Sequence, residues 1–195
     1  MQRKYFLAST ILATSALAMS MPANAQEVLT GDTKLACEAL LCLGSGTRPN
    51  ECAPSLARYF GISYRKFSDT IKGRANFLNL CPASNQTPQM QSFASAIANG
   101  AGRCDPASLN VNMLRWWGNN GNVYISNQLP DYCAAYISNQ YSNLGGLTPK
   151  YVGVPERDGY WVVGSEYDTA LANYNARIAA EDAAKNQGWL GIRAQ

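Results

Sequence analysis

Six cysteines are the residues in this sequence whose type and number most directly predict chemistry. An even number of cysteines in an exported chain is typical of a disulfide framework. No two of them form a Cys-x-x-Cys pair and the chain contains no histidine, so the common ligand patterns of zinc are missing. We therefore predict three structural disulfides and no metal site. The six residues are Cys37, Cys42, Cys52, Cys81, Cys104 and Cys133.

The spacing of the cysteines favours one pairing but leaves others open, since six cysteines allow many arrangements. Cys37 and Cys42 are five positions apart, so on a helix they point to different faces and are not expected to pair with each other. Cys42 and Cys52 flank a turn-rich segment, residues 44–51, which a bridge between them would close. The favoured arrangement is Cys42–Cys52, Cys37–Cys81 and Cys104–Cys133.

The absence of histidine also narrows the enzyme chemistry open to this chain. It removes Ser-His-Asp and Cys-His nucleophilic sites and the commonest general base near neutral pH. The sequence has neither of the usual glycine-rich phosphate-binding motifs. We therefore expect no catalytic residue and no cofactor.

One acidic residue keeps an enzymatic alternative open. Glu38 lies between Cys37 and Ala39 in a predicted apolar helix, where a buried acid could protonate a glycosidic oxygen. A carboxylate that pairs with an arginine or caps a neighbouring backbone is favoured instead, because no motif places a second carboxylate. A peptidoglycan-cleaving enzyme with Glu38 as general acid is therefore the second hypothesis.

A basic stretch interleaved with aromatic residues lies between positions 58 and 74. Such a surface could bind DNA, an anionic glycan or lipid headgroups. The formal net charge of the whole chain is only +3, and the aromatics follow a helical stripe, so we favour aromatics in the core and charges on a solvated face. No dedicated nucleic-acid binding is expected. The stretch contains Arg58, Arg65, Lys66, Lys72 and Arg74, with Tyr59, Phe60, Tyr64 and Phe67 between them.

A predicted hairpin near the end of the chain is the main candidate for protein docking. Residues 150–154 and 160–163 are rich in β-formers, and Asp158-Gly159 at the end of their connection favours a hairpin. Exposed aromatics there would suit a partner, so Tyr151, Tyr160 and Trp161 are the docking candidates. The alternative is that the C-terminal helix covers one face of the hairpin and loops cover the other. Of Trp116-Trp117 and Tyr160-Trp161, at least half are expected in the core.

Helices should position most of these residues. Apolar spacing, first-turn prolines and terminal glycines predict helices over residues 32–43, 54–61, 63–78, 88–100, 106–113 and 167–185, with a helical turn from residue 130. Residues 116–122 read as a glycine- and asparagine-rich loop, and residues 123–125 as a short strand. The predicted fold is mainly α with a small β-hairpin (α+β), in a single disulfide-stapled domain.

A cleavable signal peptide is predicted over residues 1–25. The basic pair Arg3-Lys4 precedes an uncharged, mostly apolar stretch, and Ala23-Asn24-Ala25 carries the small residues that a signal peptidase reads. Cleavage is predicted between Ala25 and Gln26, with an uncleaved anchor as the alternative. Residues 26–195 would then form one globular domain outside the cytoplasm, without a transmembrane segment.

Two groups of short motifs in this chain are similar to those of a known family. The first group is Cys37-Glu38-Ala39-Leu40-Leu41-Cys42-Leu43, Gly46-Thr47-Arg48-Pro49, Cys52, Pro54-Ser55-Leu56 and Arg58-Tyr59-Phe60-Gly61-Ile62. The second is Tyr132-Cys133-Ala134-Ala135-Tyr136, Tyr151-Val152-Gly153, Pro155-Glu156-Arg157 and Gly159-Tyr160-Trp161-Val162. Together they resemble the TrbM/KikA family of conjugal-transfer proteins, over nearly the whole chain after the signal peptide.

The resemblance implies a role in plasmid conjugation. Proteins of this family are encoded with the mating-pair-formation (type IV secretion) machinery of Gram-negative bacteria, and the resemblance implies export to the periplasm. It brings no established catalytic residue to any position here. We therefore expect a non-enzymatic accessory component that contacts proteins of the transfer apparatus.

Overall fold

The computed structural model describes residues 29–118 and 121–193. The predicted signal peptide and its cleavage site lie outside these residues. The seven α-helices of the described part are α1 (Gly31–Gly44), α2 (Ala53–Gly61), α3 (Phe67–Leu78), α4 (Pro88–Gly100), α5 (Pro106–Asn112), α6 (Asp131–Ile137) and α7 (Tyr167–Arg193). The strands are β1 (Leu114–Trp117), β2 (Asn122–Ile125), β3 (Pro149–Val152) and β4 (Tyr160–Val163). The mainly helical prediction is confirmed.

Local capping explains why two of the helices begin where they do. The Thr87 hydroxyl accepts the backbone N–H of Met90 at 3.1 Å, and the Asp105 carboxylate accepts that of Ser108 at 2.9 Å. Each cap is followed by a proline in the first turn, whose missing N–H costs nothing there. The predicted starts of α4 and α5 are confirmed.

Two helix boundaries differ from those predicted. α3 begins at Phe67 rather than near Ser63, because the Thr70 hydroxyl accepts the backbone N–H of Tyr64 at 2.9 Å and holds the preceding segment out of the helix. α7 does not end near Lys185 but continues to Arg193.

The strands form two separate antiparallel pairs, of which one was predicted. β3 pairs with β4 in the expected hairpin. β1 pairs with β2, which places Trp116 and Trp117 in a strand instead of the predicted loop. Gly118 and Gly121 lie at the two ends of the connection between β1 and β2. Their φ values are 69° and 71°, so both have the left-handed backbone that glycine adopts without strain.

The main core lies between α1, α3, α4 and α6, with Leu43, Leu78 and Ile97 fully buried. The three disulfides brace this core. Cys37–Cys81 joins α1 to the segment after α3, Cys42–Cys52 joins α1 to the turn before α2, and Cys104–Cys133 joins the segment after α4 to α6. The structure therefore has the favoured pairing, and no cysteine is free.

A smaller core packs the β3–β4 hairpin against α7. Val152, Val162 and Tyr174 are buried in it. Arg157, in the hairpin connection, donates to Asp182 of α7 at 2.6 Å and to Glu181 at 3.3 Å. In the described part of the chain, no helix is both long enough and apolar enough to cross a membrane.

Candidate functional site

Glu38 lies on α1 but is not the buried acid that an enzymatic role would favour. Its side chain is 33% exposed, and its carboxylate lies 3.6 Å from the ammonium of Lys34. It lines a cavity of 300 Å³ together with Glu51. The Cys42–Cys52 bridge brings Glu51 to this cavity, so a second carboxylate is present that no sequence motif indicated.

The basic stretch between positions 58 and 74 is partly used for internal contacts. The Arg58 guanidinium donates to both carboxylate oxygens of Asp32 at 3.1 and 2.7 Å, and this pair holds the pKa of Asp32 below its usual range. Arg74 donates to the carbonyl of Ile62 and stacks on Tyr59, 4.9 Å from the ring centroid. Arg58 and Arg74 are therefore structural groups.

The aromatics of the same stretch divide between core and surface. Tyr59 is fully buried, and its hydroxyl donates to the Ile97 carbonyl at 3.0 Å. Phe60, Tyr64 and Phe67 are exposed. The prediction that these aromatics lie in the core is confirmed for Tyr59 and wrong for the other three. Tyr64 is outside the core because the α3 helix that was expected to carry it inward starts only at Phe67.

Trp161 is a core residue, which corrects the docking role predicted for it. Its side chain is 6% exposed, and its indole N–H donates to the Ser126 carbonyl at 3.0 Å. The Asn110 side chain bonds both the N–H and the C=O of the Trp161 backbone, at 2.7 and 2.9 Å. The β3–β4 hairpin is thus packed against α7, as the alternative left open by the sequence has it, and against α5, where that alternative expected loops.

Tyr151 and Tyr160 are half-buried rather than free. The Tyr151 hydroxyl donates to the Ile125 carbonyl at 2.6 Å, and burial raises the pKa of this phenol to about 12. Tyr160 packs against the smaller core. A docking role for these two residues stays a prediction.

Two more exposed aromatic residues, both tryptophans, lie on the β1–β2 hairpin. Trp116 is 76% exposed and Trp117 is 46% exposed. Trp116 pairs with Val123 across the two strands, and Leu114 lies two residues before it on the same face. We call Leu114, Trp116 and Val123, all exposed, the hairpin face. The Trp-Trp pair was a sequence signal for it, but its place in a strand was missed.

A cavity of 760 Å³ lies next to the start of β1. Two arginines, Arg103 and Arg115, line it together with Phe67, Met113, Leu129 and Tyr132. We call it the arginine cavity. The Arg103 guanidinium lies over the rings of Tyr132 and Phe67, with centroid distances of 3.7 and 4.5 Å. An anionic group is what such a pair of guanidiniums can hold.

Comparison with known families identifies the chain. Residues 28–175 match the family model described as TrbM. The chain belongs to the TrbM family. This confirms the resemblance read from the cysteine-spaced motifs and makes the chain a conjugal-transfer-related protein. A search of curated proteins and a search of solved structures found no match.

The TrbM match covers the residues that form the candidate sites. It covers the six cysteines, the hairpin face and the arginine cavity, and it ends within α7. Within residues 29–118 and 121–193, no group of three or more acidic or cysteine side chains is placed to hold a metal ion. The candidate functional features are therefore the exposed hairpin face and the arginine cavity, both carried by a fold that three disulfides brace.

Proposed function

We propose that this TrbM protein is a periplasmic accessory component of the conjugal-transfer (mating-pair formation, type IV secretion) apparatus and acts through protein–protein contacts. The observation that carries the proposal is the exposure of Trp116 on the hairpin face. Tryptophan is costly to leave in water and is enriched at the energetic centres of protein interfaces. Because the chain belongs to the TrbM family, we propose that the partner proteins are components of the conjugal-transfer apparatus.

Export to the periplasm is supported by two further observations. The N-terminal residues have the pattern of a cleavable signal, and three disulfides brace the main core. Disulfides persist in the oxidising periplasm and are rare in the reducing cytosol. These observations support a periplasmic location for the proposed accessory role.

Conjugation frequency in a complemented deletion donor tests the proposal. Trp116→Ala removes a large apolar side chain from the hairpin face, and we expect at least a ten-fold loss of transfer, as for a hot-spot residue worth roughly 1.4 kcal/mol or more. Leu80→Ala is the control, because Leu80 is 46% exposed after α3 and lies outside both the hairpin face and the cavity of Glu38 and Glu51. Normal transfer with Trp116→Ala at normal protein levels would contradict the proposal.

A peptidoglycan-cleaving enzyme serving the same apparatus is the second candidate, and one observation favours it. Glu38 and Glu51 line the same cavity, and paired carboxylates are what glycoside hydrolysis needs. A zymogram with purified protein and its Glu38→Gln variant tests this candidate. Clearing by the wild type that the variant loses would replace the accessory role with a lytic one, and a zymogram without clearing would leave the accessory role as proposed.

A further inference from the structure

We infer that the arginine cavity binds a segment of a partner protein in which one carboxylate side chain is flanked by apolar side chains. The inference rests on the proposed function, because it names the chemistry of the partner that the protein would contact. It is carried by two arginines that line one cavity and by the apolar side chains that line it with them.

Arg103 is held in position by contacts that involve no carboxylate of the described residues. One terminal nitrogen donates to the Asn99 carbonyl at 3.0 Å, and the guanidinium plane lies over Tyr132 and Phe67. Among the described residues, no carboxylate lies within ion-pair distance of it. Stacking fixes the plane of a guanidinium while its remaining N–H groups stay available to a bidentate carboxylate.

Arg115 is the second cation, and it is also tied to the backbone rather than to an acid. Its guanidinium donates to the carbonyls of Leu114 and Asn112 at 2.8 and 3.3 Å. In the part of the chain that the structure describes, it too has no carboxylate partner. Two preorganised cations that line one cavity are complementary to an anion from outside the chain.

The lining and the rim select among anions. Met113, Leu129 and Pro130 line the cavity, and Trp117 lies on the same face of β1 as Arg115 because strand side chains alternate. These apolar groups suit a ligand whose carboxylate is flanked by aliphatic or aromatic side chains. Asp131 also lines the cavity and opposes any anion, so the two cations suit a single carboxylate better than a polyanion such as a nucleic acid, whose binding needs many phosphate contacts.

The length of ligand follows from the size of the cavity. A volume of 760 Å³ lies within the range of small-ligand sites and accommodates a few side chains of an extended peptide. A short peptide with one central carboxylate is therefore a sufficient probe. We choose acetyl-Phe-Glu-Leu-amide and its isosteric partner acetyl-Phe-Gln-Leu-amide, which differ only in the charge of the central side chain.

A nuclear magnetic resonance titration of the ¹⁵N-labelled mature protein tests the inference. We expect the glutamate peptide to shift the Arg103 and Arg115 side-chain N–H signals and the Trp117 indole N–H signal. The glutamine peptide should bind roughly ten-fold or more weakly, since a charge-assisted bond is lost. Equal shifts with both peptides, or no shift with either, would overturn the inference.

Variants assign the effect to the two arginines. Arg115→Gln should weaken binding of the glutamate peptide by roughly ten-fold or more, and Arg103→Lys should also weaken it because lysine keeps the charge but loses the planar fork. Arg65→Gln is the control, since Arg65 is exposed and does not line the cavity. If Arg65→Gln weakens binding as much as Arg115→Gln does, the peptide does not bind specifically in the arginine cavity.

Two further measurements separate this inference from the proposed function. Ten-residue oligothymidylate should compete poorly with the glutamate peptide, and tighter binding of the oligonucleotide through the same arginines would overturn the choice of a protein ligand. Donors carrying Arg115→Gln should show reduced transfer. If the wild-type protein binds the glutamate peptide but these donors transfer normally, the link between this site and conjugation is refuted. If transfer is reduced but the wild-type protein does not bind the peptide, the proposed ligand is refuted and the accessory role stands.

Discussion

The indole N–H of Trp161 donates a hydrogen bond to the carbonyl oxygen of Ser126, 3.0 Å away and 35 residues earlier in the chain. The bond joins the β3–β4 hairpin to the end of β2. The Trp161 ring also packs edge-on against Tyr151, with centroids 5.3 Å apart. One tryptophan thus ties together the two β-ribbons, while Trp116 on the other ribbon is left exposed.

The contrast between these tryptophans predicts opposite effects of truncation. Trp161→Ala should lower the free energy of unfolding by about 3–5 kcal/mol, because it empties a buried site and leaves the Ser126 carbonyl without its donor. Trp116→Ala should change it by no more than about 0.5 kcal/mol. Urea unfolding of both variants checks this. Similar midpoints for the two would show that Trp161 does not brace the ribbons.

The disulfide framework predicts that the protein isolated from the periplasmic fraction of donor cells has no reactive thiol. Alkylation under denaturing, non-reducing conditions should leave the wild type unmodified and should add one group to Cys104→Ser, at Cys133. Loss of the bridge should cost about 2–5 kcal/mol of stability, so the variant should be recovered poorly. Modification of two or more cysteines in the wild type would rule out three bridges.

Gly153 should be sensitive to the smallest possible side chain. Its φ is 80°, a left-handed backbone conformation, and a Cβ there would overlap the ring of Tyr174. Gly153→Ala should therefore destabilise the protein by about 2 kcal/mol or more. Gly61→Ala is the control, since a Cβ at Gly61 meets open space at the end of α2, and it should be neutral or slightly stabilising. Equal thermal midpoints for the two variants would contradict this account.

Deprotonation of Tyr151 at high pH should lower the stability of the folded protein. Its pKa is raised from 10.0 to about 12, so the folded state holds this proton more tightly than the unfolded state does. The resulting stability is present below pH 10 and is lost as the pH rises from about 10 to about 12. Absorbance of tyrosinate should show a late-titrating phenol that Tyr151→Phe removes. If that variant instead removes a phenol titrating near 10, Tyr151 is not shielded.

The N-terminal pattern predicts processing on export. Mass spectrometry of the protein from the periplasmic fraction should show Gln26 as the first residue, because Ala23-Asn24-Ala25 precedes it. Ala25→Leu, which places a large residue where the peptidase reads a small one, should block the cut. Full-length wild-type protein recovered in the inner membrane would contradict this prediction.

The sequence by itself determined the features that depend on local chemistry. Proline and glycine fix where helices can start and stop, so the bounds of α1, α2 and α4 could be predicted closely. The spacing of the cysteines favoured the pairing that the structure has but left others open, since helix geometry excluded only a bridge between Cys37 and Cys42. The cysteine-spaced motifs also indicated the family.

Tertiary packing decided which aromatics are buried and which functional groups meet. Trp116 and Trp161 have similar local sequence signals, but only Trp161 joins the main core, where Asn110 of α5 bonds its backbone and Ser126, just after β2, accepts its indole N–H. Arg103 and Arg115 stand on segments separated by α5, and the fold brings them to one cavity with residues 128–132. Such contacts join positions far apart in the chain, and hydrophobic periodicity carries no information about them, since it reports only which face of an element is apolar.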